Sequence, residues 1–211
     1  MTFFEYCHKS YHRITVEQRL RQYATLISGE ILDVGSKNRR YDALFSGRIT
    51  AVDLVPDAAH GVTYGDITAL PFEAESFDSV LAVEVLEYIR AGDFGRAIGE
   101  VLRVLKKGGY CFFSVPFLYA EHGDRIRPTL NYMREILGDQ QVSEVSVVKI
   151  GNGYTVCWDI SRRKILRLNT AFLKKVLLTL GIVCFRLGAR LFRWDELEDD
   201  CYSGLCITVR K

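Results

Sequence analysis

The chain has 211 residues, about the length of one domain able to bury a full core. It is 48% hydrophobic and 26% charged with four prolines, which excludes a disordered, collagen-like or low-complexity chain. A net charge of +2 is too small to point to nucleic acid as a partner, and the six cysteines include no C-x-x-C pair that would suggest a metal site.

Thr15–Ile27, "TVEQRLRQYATLI", reads as a helix with Leu20, Tyr23, Leu26 and Ile27 on one face. The residues before it, "MTFFEYCHKSYH", lack the basic-then-apolar layout of a signal peptide. "EILDVG" is a short buried strand, followed by a loop with a short helix to Phe45. "RITAVDL" is a second strand and "VTYGD" a weak third. "FDSVLAVEVL" has the continuous apolar character of a central parallel strand buried on both faces. Asp93–Gly109 is expected to be a helix striped by Ile98, Val101, Leu102 and Leu105. Lys106 and Lys107 would complement its dipole, and Gly108-Gly109 would terminate it. "YCFFSVPF" is a strand, "TLNYMREIL" a helix, "QVSEVSVVKIG" a strand and "LCITVR" a last strand. This alternation implies an open α/β sheet with helices on both faces. No repeat or linker divides the chain, so 1–211 reads as one domain. It has an N-terminal helical segment at 1–28 and a basic hydrophobic helical insertion at 161–200 before the last strand.

Ligands of open α/β sheets bind outside the carboxyl ends of the strands. Asp33 to Gly35, Asp53, Asp66 and Glu84 fall at four successive strand ends. A glycine just past a buried strand allows a tight turn and close approach to a ligand. An acidic residue about 20 positions further on, here Asp53, can accept hydrogen bonds from two ribose hydroxyls. Alone, Asp53 reads equally well as a solvated strand-end residue. A dinucleotide needs G-x-G-x-x-G to seat its pyrophosphate on a helix N-terminus. Gly35 is followed by no glycine before Gly47, so a cofactor without phosphates fits better.

"ILDVGSKNRRY", "AVDL", "GDITALPFEAESFDSVLAVEVLEYI" and "EVLRVLKKGGYCFFSVPF" resemble, in order and spacing, class I S-adenosylmethionine-dependent methyltransferases of the type 11 kind, over Ile31 to Phe117. The resemblance implies a Rossmann-like class I methyltransferase fold, with a mostly parallel seven-stranded sheet, and S-adenosylmethionine as cofactor. It implies that Asp33 and Gly35 line the methionine end of the cofactor. Asp53, with Leu54 beside it, would hold the ribose, and Asp66 with the Ile67 backbone the adenine. Glu84 would lie at the mouth of the site, and Leu70 to Phe72 would be a structural turn. "VPFLYAEHGDRIRPTLNYMREIL" and the ending "YSGLCITVRK" are similar to a narrower group encoded with cell-surface polysaccharide and sugar-modifying enzymes, with a D-x-x-R-x-T core at Asp124, Arg127 and Thr129.

Three positions depart from the pattern. Lys37 takes the place of the second glycine, where its ammonium either reaches the cofactor carboxylate or points to solvent. Tyr88 replaces a histidine and Lys107 a turn proline. Methyl transfer to oxygen needs a proton acceptor. His122 is the expected base, with Asp124 orienting it or serving in its place. Arg125, Arg127 and Thr129 would bind an anionic or sugar-like substrate, although Asp124 and Arg127 equally suit a structural ion pair. No N/D-P-P-Y/F stretch or basic-aromatic stripe points to nucleic acid. The expected acceptor is a sugar, a glycan or a lipid-linked saccharide. The alternative is a methyltransferase-like scaffold with a degraded cofactor loop.

Ser161 to Arg193 holds nine Lys or Arg and no acid around the apolar stretch Val176–Phe185, too short to span a bilayer. Such a helix suits the surface of an anionic membrane, with the acidic Asp195–Asp200 able to fold back on it. It suits equally the sheet edge or a second subunit in a homodimer. The cysteines read as reduced core residues, which implies a cytoplasmic protein, peripheral at the inner membrane face if the basic segment docks there.

Overall fold

The structure, a computed structural model, describes residues 9–119, 122–194 and 200–211. Cys7, the start of the 1–28 segment and all but the last residue of the acidic run 195–200 lie outside the described residues. The chain divides into two compact units, one of 1–18, 117–121 and 149–204 and one of 19–116, 122–148 and 205–211.

The larger unit is built on a seven-stranded sheet. Its strands are β1 (Glu30–Val34), β2 (Arg48–Asp53), β3 (Val62–Tyr64), β4 (Phe77–Val83), β5 (Leu105–Pro116), β6 (Glu144–Ile150) and β7 (Gly204–Arg210), in the spatial order β3-β2-β1-β4-β5-β7-β6. β1 to β5 run parallel. β7 is antiparallel to β5, since the N–H of Gly108 donates to Lys211 O and that of Lys211 to Gly109 O. The central strands carry apolar side chains on both faces because both faces are covered. In β4 every residue but Asp78 is buried. Helix α1 (Tyr11–Ala24) buries Leu20 and Tyr23, whose hydroxyl bonds Ser79 and the Tyr110 carbonyl. Leu26, expected on that face, lies beyond the helix end and is 56% exposed. Helix α2 (Phe94–Val104) buries Phe94, Ala97, Ile98, Val101 and Leu102 at helical spacing.

That helix ends earlier than its sequence suggests. Leu105 is already extended and pairs with Phe77 in the sheet. The pairing then skips from Phe77–Leu105 to Ser79–Tyr110, so Lys106 to Gly109 form an irregularity within β5. Lys106 bonds Asp78 at 2.8 Å, and Gly108 has φ +75°. The two glycines therefore kink a strand, and the lysines cap no helix dipole. Helix α3 (Leu130–Gly138) follows, with Thr129 as its N-cap.

In the smaller unit, α4 (Gly153–Leu166) opens with a capping box of Asn152 and Thr155. The carboxylate of Asp159 on α4 accepts the backbone N–H groups of Tyr11 and His12 at 2.7 and 3.0 Å, capping the N-terminus of α1. α5 (Ala171–Phe192) packs Ile182 and Phe185 with Trp158, Ile14 and Tyr11. The 161–193 segment is thus the end of one helix, a turn and a second helix, in place of one continuous element. Cys111 and Cys206 are buried, whereas Cys157, Cys184 and Cys201 are exposed, which corrects their reading as core residues. Helical periodicity places Cys157 and Cys184 on outer faces within apolar runs.

Candidate functional site

The polar residues singled out in the sequence gather along one edge of the large unit's sheet, because five parallel strands deliver their carboxyl ends there. After β1, Gly35 takes φ +71°, and a Cβ there would meet Val85 Cγ2 at 2.3 Å, so only glycine lets this loop lie against the turn after β4. The N–H groups of Gly35 and Ser36 donate to Val52 O at 2.8 and 3.2 Å. Lys37 has an exposed side chain and φ +52°, the left-handed conformation that the glycine of the family pattern would adopt without strain. Its N–H donates to Asp53 Oδ2 at 3.1 Å. Asp33 is buried beneath this loop. Burial, reinforced by the like charges of Asp42 and Asp53, pushes its carboxyl up to about 7.

After β2, Val55 N–H donates to Asp53 Oδ1 at 3.0 Å, so the two Asp53 oxygens are each oriented by one backbone donor and each keep acceptor capacity. Leu54 and Val55 follow with 60% and 75% exposure, apolar surface beside a carboxylate. After β3, Gly65 N–H donates to Asp53 O at 3.0 Å. Asp66 Oδ1 accepts from the N–H and hydroxyl of Thr68, both at 2.8 Å, which fixes the carboxylate of Asp66 in a tight turn. Ile67 is buried beside it. The Leu70 to Phe72 turn is clamped by α2, since Glu100 accepts the Leu70 N–H and Arg103 donates to the carbonyls of Leu70 and Phe72.

After β4, Glu84 stands at φ +58°, a conformation that costs a non-glycine residue about 1–2 kcal/mol and that clusters at functional sites. Ser114 holds it there, accepting the Glu84 N–H and donating its hydroxyl to Oε1 at 3.1 Å. One turn on, Glu87 is fully buried, and its backbone carbonyl accepts the N–H groups of Arg125 and Ile126. That anchors the segment after β5 to the turn after β4. The His122 ring sits with Nε2 3.6 Å from Glu87 Oε1 and Nδ1 3.6 Å from Asp124 Oδ1, and Tyr88 packs edge-on against it. The tyrosine that departs from the family pattern thus supports the imidazole.

The remaining residues after β5 divide by what holds them. Arg127 bonds both oxygens of Asp124. The guanidinium, together with the His122 N–H, holds the Asp124 carboxyl well below the usual carboxylate range. A carboxyl so lowered is a weak proton acceptor at neutral pH, and of the two parts expected of Asp124 its position 3.6 Å from His122 Nδ1 suits orienting the imidazole better than replacing it. Two nitrogens of the Arg127 fork, Nε and Nη2, are engaged by that pair. The Thr129 hydroxyl accepts the Tyr132 N–H at 3.2 Å as the α3 N-cap. Arg125 is exposed. Glu87 was not singled out in the sequence, although the E-x-x-E spacing in "EVLEYI" puts two carboxylates on one turn past a buried strand. No cluster of metal-ligating side chains occurs among the described residues.

Together, the sheet order, the antiparallel last strand and the knitted strand-end loops define a domain of the class I methyltransferase fold. Residues 32–113 match the family described as a methyltransferase domain. A phthiotriol/phenolphthiotriol dimycocerosates methyltransferase 1 from Mycobacterium ulcerans (strain Agy99) is 48% identical over 50 residues, 24% of this chain and 18% of that protein. Among solved structures, a SAM dependent methyltransferase from Archaeoglobus fulgidus superposes with TM-score 0.62 at 14% identity, covering 94% of both chains. The Haemonchus contortus phosphoethanolamine N-methyltransferase 2, in complex with S-adenosyl-L-methionine, superposes with TM-score 0.60 at 17% identity, covering 93% of this chain and 52% of that one. The chain thus spans less than a fifth of the mycobacterial protein and about half of the Haemonchus enzyme.

Proposed function

We propose that the protein is an S-adenosylmethionine-dependent methyltransferase acting on a hydroxyl of a sugar, glycan or lipid-linked saccharide. The observation that carries this reading is the lacing of the β1 and β2 loops through Asp53, whose oxygens are aimed by Lys37 and Val55. The donor set suits the cofactor. Asp53 offers two acceptors for a ribose diol, Leu54 offers exposed apolar surface for an adenine face, and Asp66 Oδ2 is free of the turn that fixes Oδ1. When bound, the cofactor supplies a sulfonium methyl group. The protein's part is to align an acceptor and remove its proton.

His122 takes that proton, oriented between Glu87 and Asp124. Arg125 is the exposed cation available for an anionic group on the acceptor. The saccharide assignment rests on the likeness of the segment after β5 to sugar-modifying methyltransferases.

Calorimetric titration with S-adenosylmethionine and S-adenosylhomocysteine tests the cofactor step. Micromolar binding that Asp53→Ala abolishes, with an unchanged unfolding transition, is the expected result. His122→Asn should then keep cofactor affinity while kcat on a saccharide acceptor falls by about a hundredfold or more. A well-folded protein that binds neither compound would instead favour a scaffold, the reading to which the lysine in a glycine position lends itself.

A further inference from the structure

Helix α5 has two unlike faces. Ile182, Phe185 and Gly188 are buried on one side, where Trp158 and Trp194 lie so close to Gly181 and Gly188 that a Cβ would collide with their rings. On the other side Phe172, Leu180, Val183, Leu187 and Leu191 are 43–78% exposed. At 100° per residue these five fall in one stripe about 100° wide, running along a helix about 33 Å long. An apolar stripe of that length left open to water needs an occupant.

The charges that α5 itself carries are all of one sign. Lys175, Arg186 and Arg190 are exposed along one margin, and Arg163, Lys164 and Arg167 are exposed at the end of α4 and in the turn leading into α5. No acidic residue occurs between Ser161 and Arg193. A two-fold pairing of this stripe with an antiparallel copy would set the cationic margin against itself, which is unfavourable. Among the described residues no helix is long and apolar enough to cross a membrane, so the stripe suits a helix lying in a surface.

We infer that α5 docks on an anionic membrane. Its Phe172-to-Leu191 stripe enters the boundary between headgroups and acyl chains, and its basic margin, with the basic end of α4, lies among anionic headgroups. The inference rests on the helix alone and stands or falls separately from the proposed methyl transfer.

Flotation of the full chain with vesicles tests it, using phosphatidylcholine alone or with about a third phosphatidylglycerol. The protein should float with the anionic vesicles at low salt and be released at high salt. Arg186→Glu with Arg190→Glu should weaken partitioning about tenfold or more, since each basic residue near the surface counts for about 1 kcal/mol. Leu187→Ser with Leu191→Ser should weaken it at constant charge. All four positions are exposed, so circular dichroism melts should match the wild type, and cofactor titration of the same variants should be unchanged. Absence of flotation at low salt overturns the inference. So does binding that is indifferent to both pairs of changes. A concentration-dependent dimer that Leu187→Ser dissociates, without vesicle binding, would assign the stripe to a second copy.

Discussion

Lys37 illustrates how a single residue can keep a loop's shape while changing its chemistry. Its φ of +52° costs about 1–2 kcal/mol, and glycine would remove that cost while adding about 0.4–1 kcal/mol of unfolded-chain entropy. Lys37→Gly should therefore stabilise the protein by about 0.5–1 kcal/mol in urea unfolding. The same variant separates the two readings of the side chain. Cofactor affinity falls if the ammonium meets the cofactor carboxylate and stays level if it faces solvent. Asp33 makes a second prediction at this scale. Its carboxyl is raised to about 7 by burial from an ordinary value near 3.8, so between those values the native state holds the proton more tightly than the unfolded chain. Its contribution is complete at low pH and is lost as pH rises from about 4 to 7. Asp33→Asn should remove that loss. Measured as urea midpoints, its stability relative to wild type should rise across this window and level off above it.

At the scale of the element, the apolar stripes were legible in the sequence and the boundaries were not. Ile98, Val101 and Leu102 mark α2 by helical spacing alone, but its end is set by Leu105 pairing with Phe77, a contact across 28 positions that local pattern cannot anticipate. The basic stretch 161–193 reads as one apolar helix, yet it is divided at the turn before Thr170, and α5 buries one face against Trp158 of α4. Thr129 shows the same ambiguity between local and functional roles. As the α3 N-cap, its loss in Thr129→Ala should cost about 1 kcal/mol, while Thr129→Ser keeps the acceptor oxygen and most of the stability. If both variants also retain kcat/KM, substrate binding is no part of what this residue does.

For the whole molecule, strand order decides which residues meet. Asp53, Asp66 and Glu84 are far apart in sequence, and parallel pairing carries them to one edge. Burial is likewise a property of the assembled chain, and cysteine labelling reads it out. Cys157, Cys184 and Cys201 should react with a disulfide reagent in the native protein. Cys111 and Cys206 should react only on unfolding, since burial pushes their thiols up, that of Cys206 to about 12. Mass mapping of labelled peptides would check this, and fast native labelling of Cys206 would contradict the buried placement of β7.

The sequence by itself determined the alternation of strands and helices, the acidic residue at each of four strand ends and the glycine after β1. These are matters of local periodicity and of backbone conformations open only to glycine. The tertiary structure alone decided that Asp124 pairs with Arg127, that the buried Glu87 faces His122, and that α5 leaves an apolar stripe exposed. Each depends on which surfaces meet across the fold, and side-chain burial and charge pairing exist only once the chain has brought them together.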